Sequence, residues 1–253
     1  MKLAQDARDR VEREYYENGP KVRRSHRSLT AAITECDQNP IIAELKYASP
    51  SLGNIRKDGQ PAEIARAMLA GGAKALSVVT DPDNFQGGTH VLAEVAEYVD
   101  APVIMKDVIV SPAQLEVGSG AGADAVVLIS EIFSRNLAEV NLGQMMGHAR
   151  GLGLEVLVET NDPTEFEALR KQRPDLYGVN NRNLSTFQVE LSTTEKILAL
   201  AGELDRPVVS ESGIESREDV RRLKKAGADA FLVGTSIMRS PNIEAKVREL
   251  VTA

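Results

Sequence analysis

The sequence reads as a (β/α)8 barrel, the TIM barrel class, with an N-terminal helical extension. Three observations predict it: eight short apolar runs rich in β-branched residues, helix-like segments between them, and a length of 253 residues. A barrel of this kind occupies about 250 residues as one domain. The runs cover residues 41–45, 75–80, 102–106, 125–130, 155–160, 176–180, 207–211 and 230–234, with starts 21 to 34 residues apart. Several show little alternation, as expected of parallel strands buried on both faces. Between them, segments such as 61–70, 91–99, 163–170 and 217–226 carry amphipathic helical patterns.

A weak internal repeat supports the alternation. Gly72-Ala73-Lys74-Ala75, Gly122-Ala123-Asp124-Ala125 and Gly227-Ala228-Asp229-Ala230 each close a helix and open a strand. Glycine suits a helix end because the chain there often turns left-handed. An open doubly wound sheet would need a G-x-G-x-x-G turn after the first strand, and none is present. Domain organisation follows: one barrel over 1–253, of which 1–40 is the helical extension. Lys21, Arg23, Arg24 and Arg27 in that extension read as a solvated face.

Composition narrows the function. Thirty Lys and Arg against 37 Asp and Glu give a net charge of −7, without the basic footprint of a nucleic-acid binder or a polybasic membrane patch. Cys36 is the only cysteine, which excludes an internal disulfide or a thiolate cluster. It reads as a buried small hydrophobe. The first fifteen residues are crowded with charges, and no apolar run reaches the 18 or so residues of a membrane span. The expectation is a cytoplasmic enzyme of a small molecule, with no nucleic acid and no membrane.

In a barrel, catalytic groups sit where strands run into the βα loops. The first strand ends in Glu44-Leu45-Lys46, followed by Ser49-Pro50-Ser51, and residues two apart share a face, so Glu44 and Lys46 point together into the mouth. The third ends in Lys106-Asp107, the fifth at Glu159, the sixth in Asn180-Asn181-Arg182-Asn183, the seventh in Ser210-Glu211-Ser212-Gly213. Buried charges are costly, so lysines, glutamates and an arginine at corresponding ends point to acid–base chemistry. Ser212-Gly213 and Gly234-Thr235 put small residues where backbone N–H groups can meet a phosphate, with 235–239 as the short helix such sites often use. His26, His90 and His148 lie away from the strand ends and lack metal-site spacing. No nucleotide loop is present. Cofactor-free and metal-free catalysis is expected.

Taken together, these segments resemble the indole-3-glycerol phosphate synthase family. The matching stretches are Ile42-Ala43-Glu44-Leu45-Lys46 with Ser49-Pro50-Ser51, Ala75 to Thr80 with Phe85-Gln86-Gly87-Gly88, Pro102 to Asp107, Leu157-Val158-Glu159, Gly178 to Leu184, and Ser210 to Ile214. Their order along nearly the whole chain, from about Arg24 to Leu250, makes the resemblance specific. It implies ring closure, decarboxylation and dehydration of 1-(2-carboxyphenylamino)-1-deoxyribulose 5-phosphate to indole-3-glycerol phosphate, in tryptophan biosynthesis. It also implies roles: Lys106 as general acid at the carbonyl, Lys46 near the substrate carboxylate, and Glu159 as the acid–base glutamate. Glu44 and Glu211 would orient or relay protons, and Asn180 would be a polar site residue. Ser49, Ser51, Arg182, Ser212, Gly213, Gly234 and Thr235 would hold substrate or phosphate.

Val108 stands where the family usually has phenylalanine, and Tyr47-Ala48 replaces a commonly basic pair. If no other aromatic wall is near, Val108→Phe would add ring packing and lower KM. The alternative from the residues is another phosphate-binding barrel, particularly a class I aldolase with a Schiff base on Lys106 or Lys46. An inactive barrel serving as a binding module would have scrambled strand ends, and these are intact.

Overall fold

The computed structural model describes residues 2–56, 58–183 and 186–253; Leu184, the last residue of one family-like stretch, lies outside them. Eight parallel strands close a barrel: β1 (Ile41–Leu45), β2 (Ala75–Val79), β3 (Val103–Lys106), β4 (Ala125–Ile129), β5 (Glu155–Thr160), β6 (Leu176–Asn180), β7 (Val208–Glu211) and β8 (Ala230–Val233). Each pairs with its neighbours in sequence, and β8 closes on β1 through Ile42↔Leu232. All eight lie within one residue of the expected runs. Helices follow the strands, several with the caps their sequences announce. Pro61 opens the Pro61–Ala70 helix, and Ser216 with Asp219 forms a capping box on Arg217–Lys225.

Both strand faces are buried, which explains the weak alternation. The outer face (Ile41, Ala43, Leu45, Val78, Val103, Val156, Phe231) packs under the helices. The inner face supplies Ile42, Ala75, Ile104, Ala125, Val127, Leu157, Leu176, Val209, Ala230 and Leu232, a filled interior rather than a pore.

The N-terminal extension is helical, as expected, but not continuous: α1 (Lys2–Glu12) and α2 (Leu29–Thr34) are joined by a stretch with no helix from 19 to 28. Helix α2 plugs the floor of the barrel with Leu29 and Ile33, and Glu155 receives Ser28 Oγ (2.6 Å) and the Thr30 amide (2.9 Å). Nor are all four basic residues solvated. Arg24 Nη2 bonds Asp124 (2.9 Å) and the Ala101 carbonyl (2.7 Å), and Arg27 pairs with Asp100. Carbonyls and a buried carboxylate at the floor need donors, and the joining segment supplies them. Lys21 and Arg23 remain exposed, and Cys36 is half-buried rather than buried. At the opposite end α1 lays Leu3, Ala4 and Ala7 on Val108, Val110, Ile129 and Ile132.

Shorter elements escape a reading by long periodic runs. A two-stranded ribbon pairs Ala48–Ser49 with Gly53–Asn54 after β1, turning at Gly53 with φ 62°. One-turn helices cover Pro82–Phe85 and Ser130–Ser134. No helix among the described residues is long and apolar enough to cross a membrane.

Candidate active site

The inner faces change chemistry one step up each strand. Ile42 is followed on the same face by Glu44 and then Lys46, Ile104 by Lys106, Leu157 by Glu159, Leu176 by Gly178 and Asn180, Val209 by Glu211, and Leu232 by Gly234. The period of two thus lifts an ionised layer onto an apolar one at the mouth of the barrel. There a cavity of about 520 Å³ opens, lined by Glu44, Lys46, Lys106, Glu159, Asn180 and Glu211 among others.

Lys106 is the hub. Its Nζ lies 2.6 Å from Glu159 Oε2 and 3.1 Å from Glu211 Oε2. Burial works to lower its pKa, but the charges of Glu159 and Glu211 outweigh that and hold it well above the ordinary lysine range. Burial likewise works to raise Glu159, yet the Lys106 ammonium and the Asn180 Nδ2 donor (3.0 Å) keep it below the usual carboxylate range. Glu211 goes the other way. Burial pushes it up to about 8, the charge of Glu159 adding to this against the pull of Lys106. Its Oε1 is buried with no hydrogen-bond partner, as suits a group held neutral. The site therefore holds one ammonium, one carboxylate and one carboxylic acid within hydrogen-bond reach.

A second pair stands on β1, where Lys46 Nζ is 2.6 Å from Glu44 Oε1. Gly234 lies against it: a Cβ there would sit 2.5 Å from Glu44 Oε1 and 3.0 Å from Lys46 Nζ. This glycine is needed for space, its φ of −119° being ordinary. Asn180 Oδ1 accepts the Arg182 amide (3.0 Å), and Arg182 Nη1 reaches Ser51 Oγ (3.3 Å) and the Phe187 carbonyl (3.2 Å). Burial lowers the Arg182 pKa, with Glu44 opposing.

Along the far wall stand Ser212, Gly213, Gly234 and Thr235, with Ser212 and Gly213 both left-handed (φ 68° and 78°). The expected helix forms over Thr235–Arg239. Ser51 lines the cavity. Ser49 is not among the lining residues; its Oγ is buried without a partner.

Asp107, next to Lys106, also borders the cavity, while its carboxylate is held in a buried network of its own. Sequence reasoning missed the apolar side of the cavity, where Leu3, Phe85, Ile129 and Phe187 join Val108. Leu3 comes from the N-terminal helix and Phe187 from the loop that follows β6, and the fold brings them together here. Phe85 provides an aromatic wall, which removes the condition under which Val108→Phe would help. Among the described residues, no group of three His, Cys, Asp or Glu could hold a metal ion.

Comparison with known proteins places the chain in a family. The indole-3-glycerol phosphate synthase family model matches residues 2–250. A protein of that name from Azoarcus sp. (strain BH72) is 46% identical over 211 residues, covering 83% of this chain and 78% of its own. That of Neisseria meningitidis serogroup C is 44% identical with the same coverage. That of Laribacter hongkongensis is 39% identical over 236 residues, 92% of this chain and 88% of its own. A solved structure, thiamine phosphate pyrophosphorylase from Pyrococcus furiosus, superposes with a TM-score of 0.61 at 20% identity, covering 88% of this chain and 96% of that one. That likeness concerns the fold alone. With the family matched across almost the whole length, the chain belongs to the indole-3-glycerol phosphate synthase family.

Proposed function

We propose that the chain converts 1-(2-carboxyphenylamino)-1-deoxyribulose 5-phosphate into indole-3-glycerol phosphate, with Lys106 as the general acid. The observation that carries the reading is the Lys106 ammonium held between Glu159 and Glu211 at the cavity floor. The ring carbon bearing the carboxylate attacks the ribulose carbonyl carbon, and the carbonyl oxygen takes a proton from Lys106. The bond to the carboxylate then breaks, carbon dioxide leaves, and its electron pair returns to the ring. Finally the new hydroxyl departs as water with a second proton, while the adjacent nitrogen-bearing carbon loses one to give the indole double bond. Glu159, ionised, accepts that proton. Glu211, neutral and 3.1 Å from Nζ, returns a proton to Lys106 between steps.

The remaining residues bind and orient. Lys46 faces the substrate carboxylate, steadied by Glu44. Asn180 fixes Glu159, and Arg182 and Ser51 bound the polar rim. Ser212, Gly213, Gly234 and Thr235 receive the phosphate, whose remote binding energy bends the flexible chain toward reaction. Ser49, off the cavity wall, supports the ribbon that carries Ser51. The substrate's aromatic ring rests on Val108, Phe85 and Leu3.

A Schiff-base aldolase needs an amine with a free lone pair. The Glu159 carboxylate, 2.6 Å away, helps keep Lys106 protonated, which favours its use as an acid over an amine nucleophile. The test is direct. The purified chain is mixed with the carboxyphenylamino-deoxyribulose phosphate while indole fluorescence is followed, with a borohydride-treated sample alongside. Indole formation without a lysine adduct supports the reading; a trapped adduct with a keto-phosphate and no indole would replace it with the aldolase.

A further inference from the structure

Asp107 follows Lys106 on the end of β3, and in an extended chain its side chain points to the opposite face. There its carboxylate is held by four donors, two on each oxygen. Oδ1 accepts Arg10 Nη2 (3.1 Å) and the Val108 amide (2.8 Å). Oδ2 accepts the Tyr16 hydroxyl (3.0 Å) and Thr80 Oγ1 (2.9 Å). The Thr80 amide also bonds the Lys106 carbonyl (3.0 Å), so this strand end is held through both its backbone and its neighbour's side chain.

Two of the donors come from the N-terminal extension. Arg10 is only 2% exposed and is spent entirely inside: Nε on the Tyr16 hydroxyl (3.1 Å), Nη1 on Asp83 (3.1 Å) and 3.3 Å from Asp81. A buried guanidinium bridging the ends of β2 and β3 from a helix outside the barrel is a costly arrangement for mere packing.

We infer that Arg10, with Tyr16, is a positioning residue for the reaction: it fixes Asp107, and through the peptide at 106–107 it fixes the direction of Lys106. The inference rests on the reading of Lys106 as the general acid. Neither residue lines the cavity, so neither touches substrate. Their loss should slow turnover and spare binding.

The test is a double-mutant cycle of Arg10→Met and Tyr16→Phe against Lys106→Met in the full chain, with thermal melts to confirm folding at the assay temperature. A misplacement of order 1 Å is worth up to about 10²-fold in rate, so kcat in Arg10→Met should fall about 10-fold or more while KM stays within about twofold. Tyr16→Phe, which keeps the ring and loses one donor, should show a smaller loss of the same kind. Added guanidinium ion at millimolar concentration should restore part of the kcat lost in Arg10→Met. On the Lys106→Met background both losses should disappear. Unchanged kcat in Tyr16→Phe and in any folded Arg10→Met, or equal losses with and without Lys106, would overturn the inference. Normal kcat in Lys106→Met itself would instead overturn the reading on which it rests.

Discussion

Gly178 sits directly across from Glu159 in the β5–β6 register, and a Cβ placed on it would lie 2.9 Å from both the Glu159 Cα and Glu211 Oε1. The missing side chain is what lets Glu159 and Glu211 converge on one ammonium. Gly178→Ala must therefore push backbone or carboxylate aside, at an overpacking cost of about 1–3 kcal/mol. The expected outcome is a folded variant with a lower Tm and kcat reduced by about 10-fold or more, since displaced reacting groups lose rate steeply. Wild-type kcat in Gly178→Ala would show that the Glu159–Glu211 spacing is not critical.

Glu211 gives a pH signature. Its carboxyl rises from an ordinary 4.5 to about 8 in the fold. A raised acid favours the protonated fold, so its contribution to stability is complete below about pH 4.5 and is lost as the pH climbs through about 8. Glu211→Gln cannot ionise. Relative to wild type, its Tm should gain between pH 5 and pH 8.5, and a pH-independent difference would mean that Glu211 ionises normally.

Much of this was legible in the sequence. Apolar strand runs set against an abrupt Glu44, Lys106, Glu159 or Glu211 at their ends mark the barrel and its mouth, because period-two geometry fixes which residues share the inner face. The Glu44–Lys46 pair follows from spacing alone. Which carboxylates embrace Lys106 does not, since Glu159 and Glu211 approach it from strands 53 and 105 residues away. Gly178 carries no local turn signal; its reason is a neighbour across the sheet. Arg10 and Arg24 look like surface charges until long-range contacts reveal Asp107 and Asp124 as their partners.

Val108 carries a reversed expectation. It is 5% exposed, and it packs in a cluster with Leu3, Ala4, Ala7 and Ile129 against which Phe85 also rests. A phenyl ring there overfills the wall, at about 1–3 kcal/mol. Val108→Phe should lower Tm and raise KM; a lower KM would mean the wall has room for the ring.

Phosphate placement is best probed at Thr235. Gly234→Asp would collide with Glu44 and Lys46, mixing a binding effect with damage to that pair. Thr235 is half-buried and opens the short helix on the cavity wall. Thr235→Asp should raise KM by about 10-fold or more through like-charge repulsion, with Tm nearly unchanged. An unaltered KM would move the phosphate elsewhere.

The central claim is that Lys106 delivers the proton to the carbonyl, and kcat of Lys106→Met measures it most directly. Methionine keeps much of the stem and removes the proton, and a positioned acid is worth about 10²–10⁴-fold. The account predicts a loss of at least that order in indole formation, with substrate analogues still bound. Lys46→Met should raise KM as well as lower kcat. Near-normal kcat in Lys106→Met would contradict the assignment and pass the role of acid to Lys46.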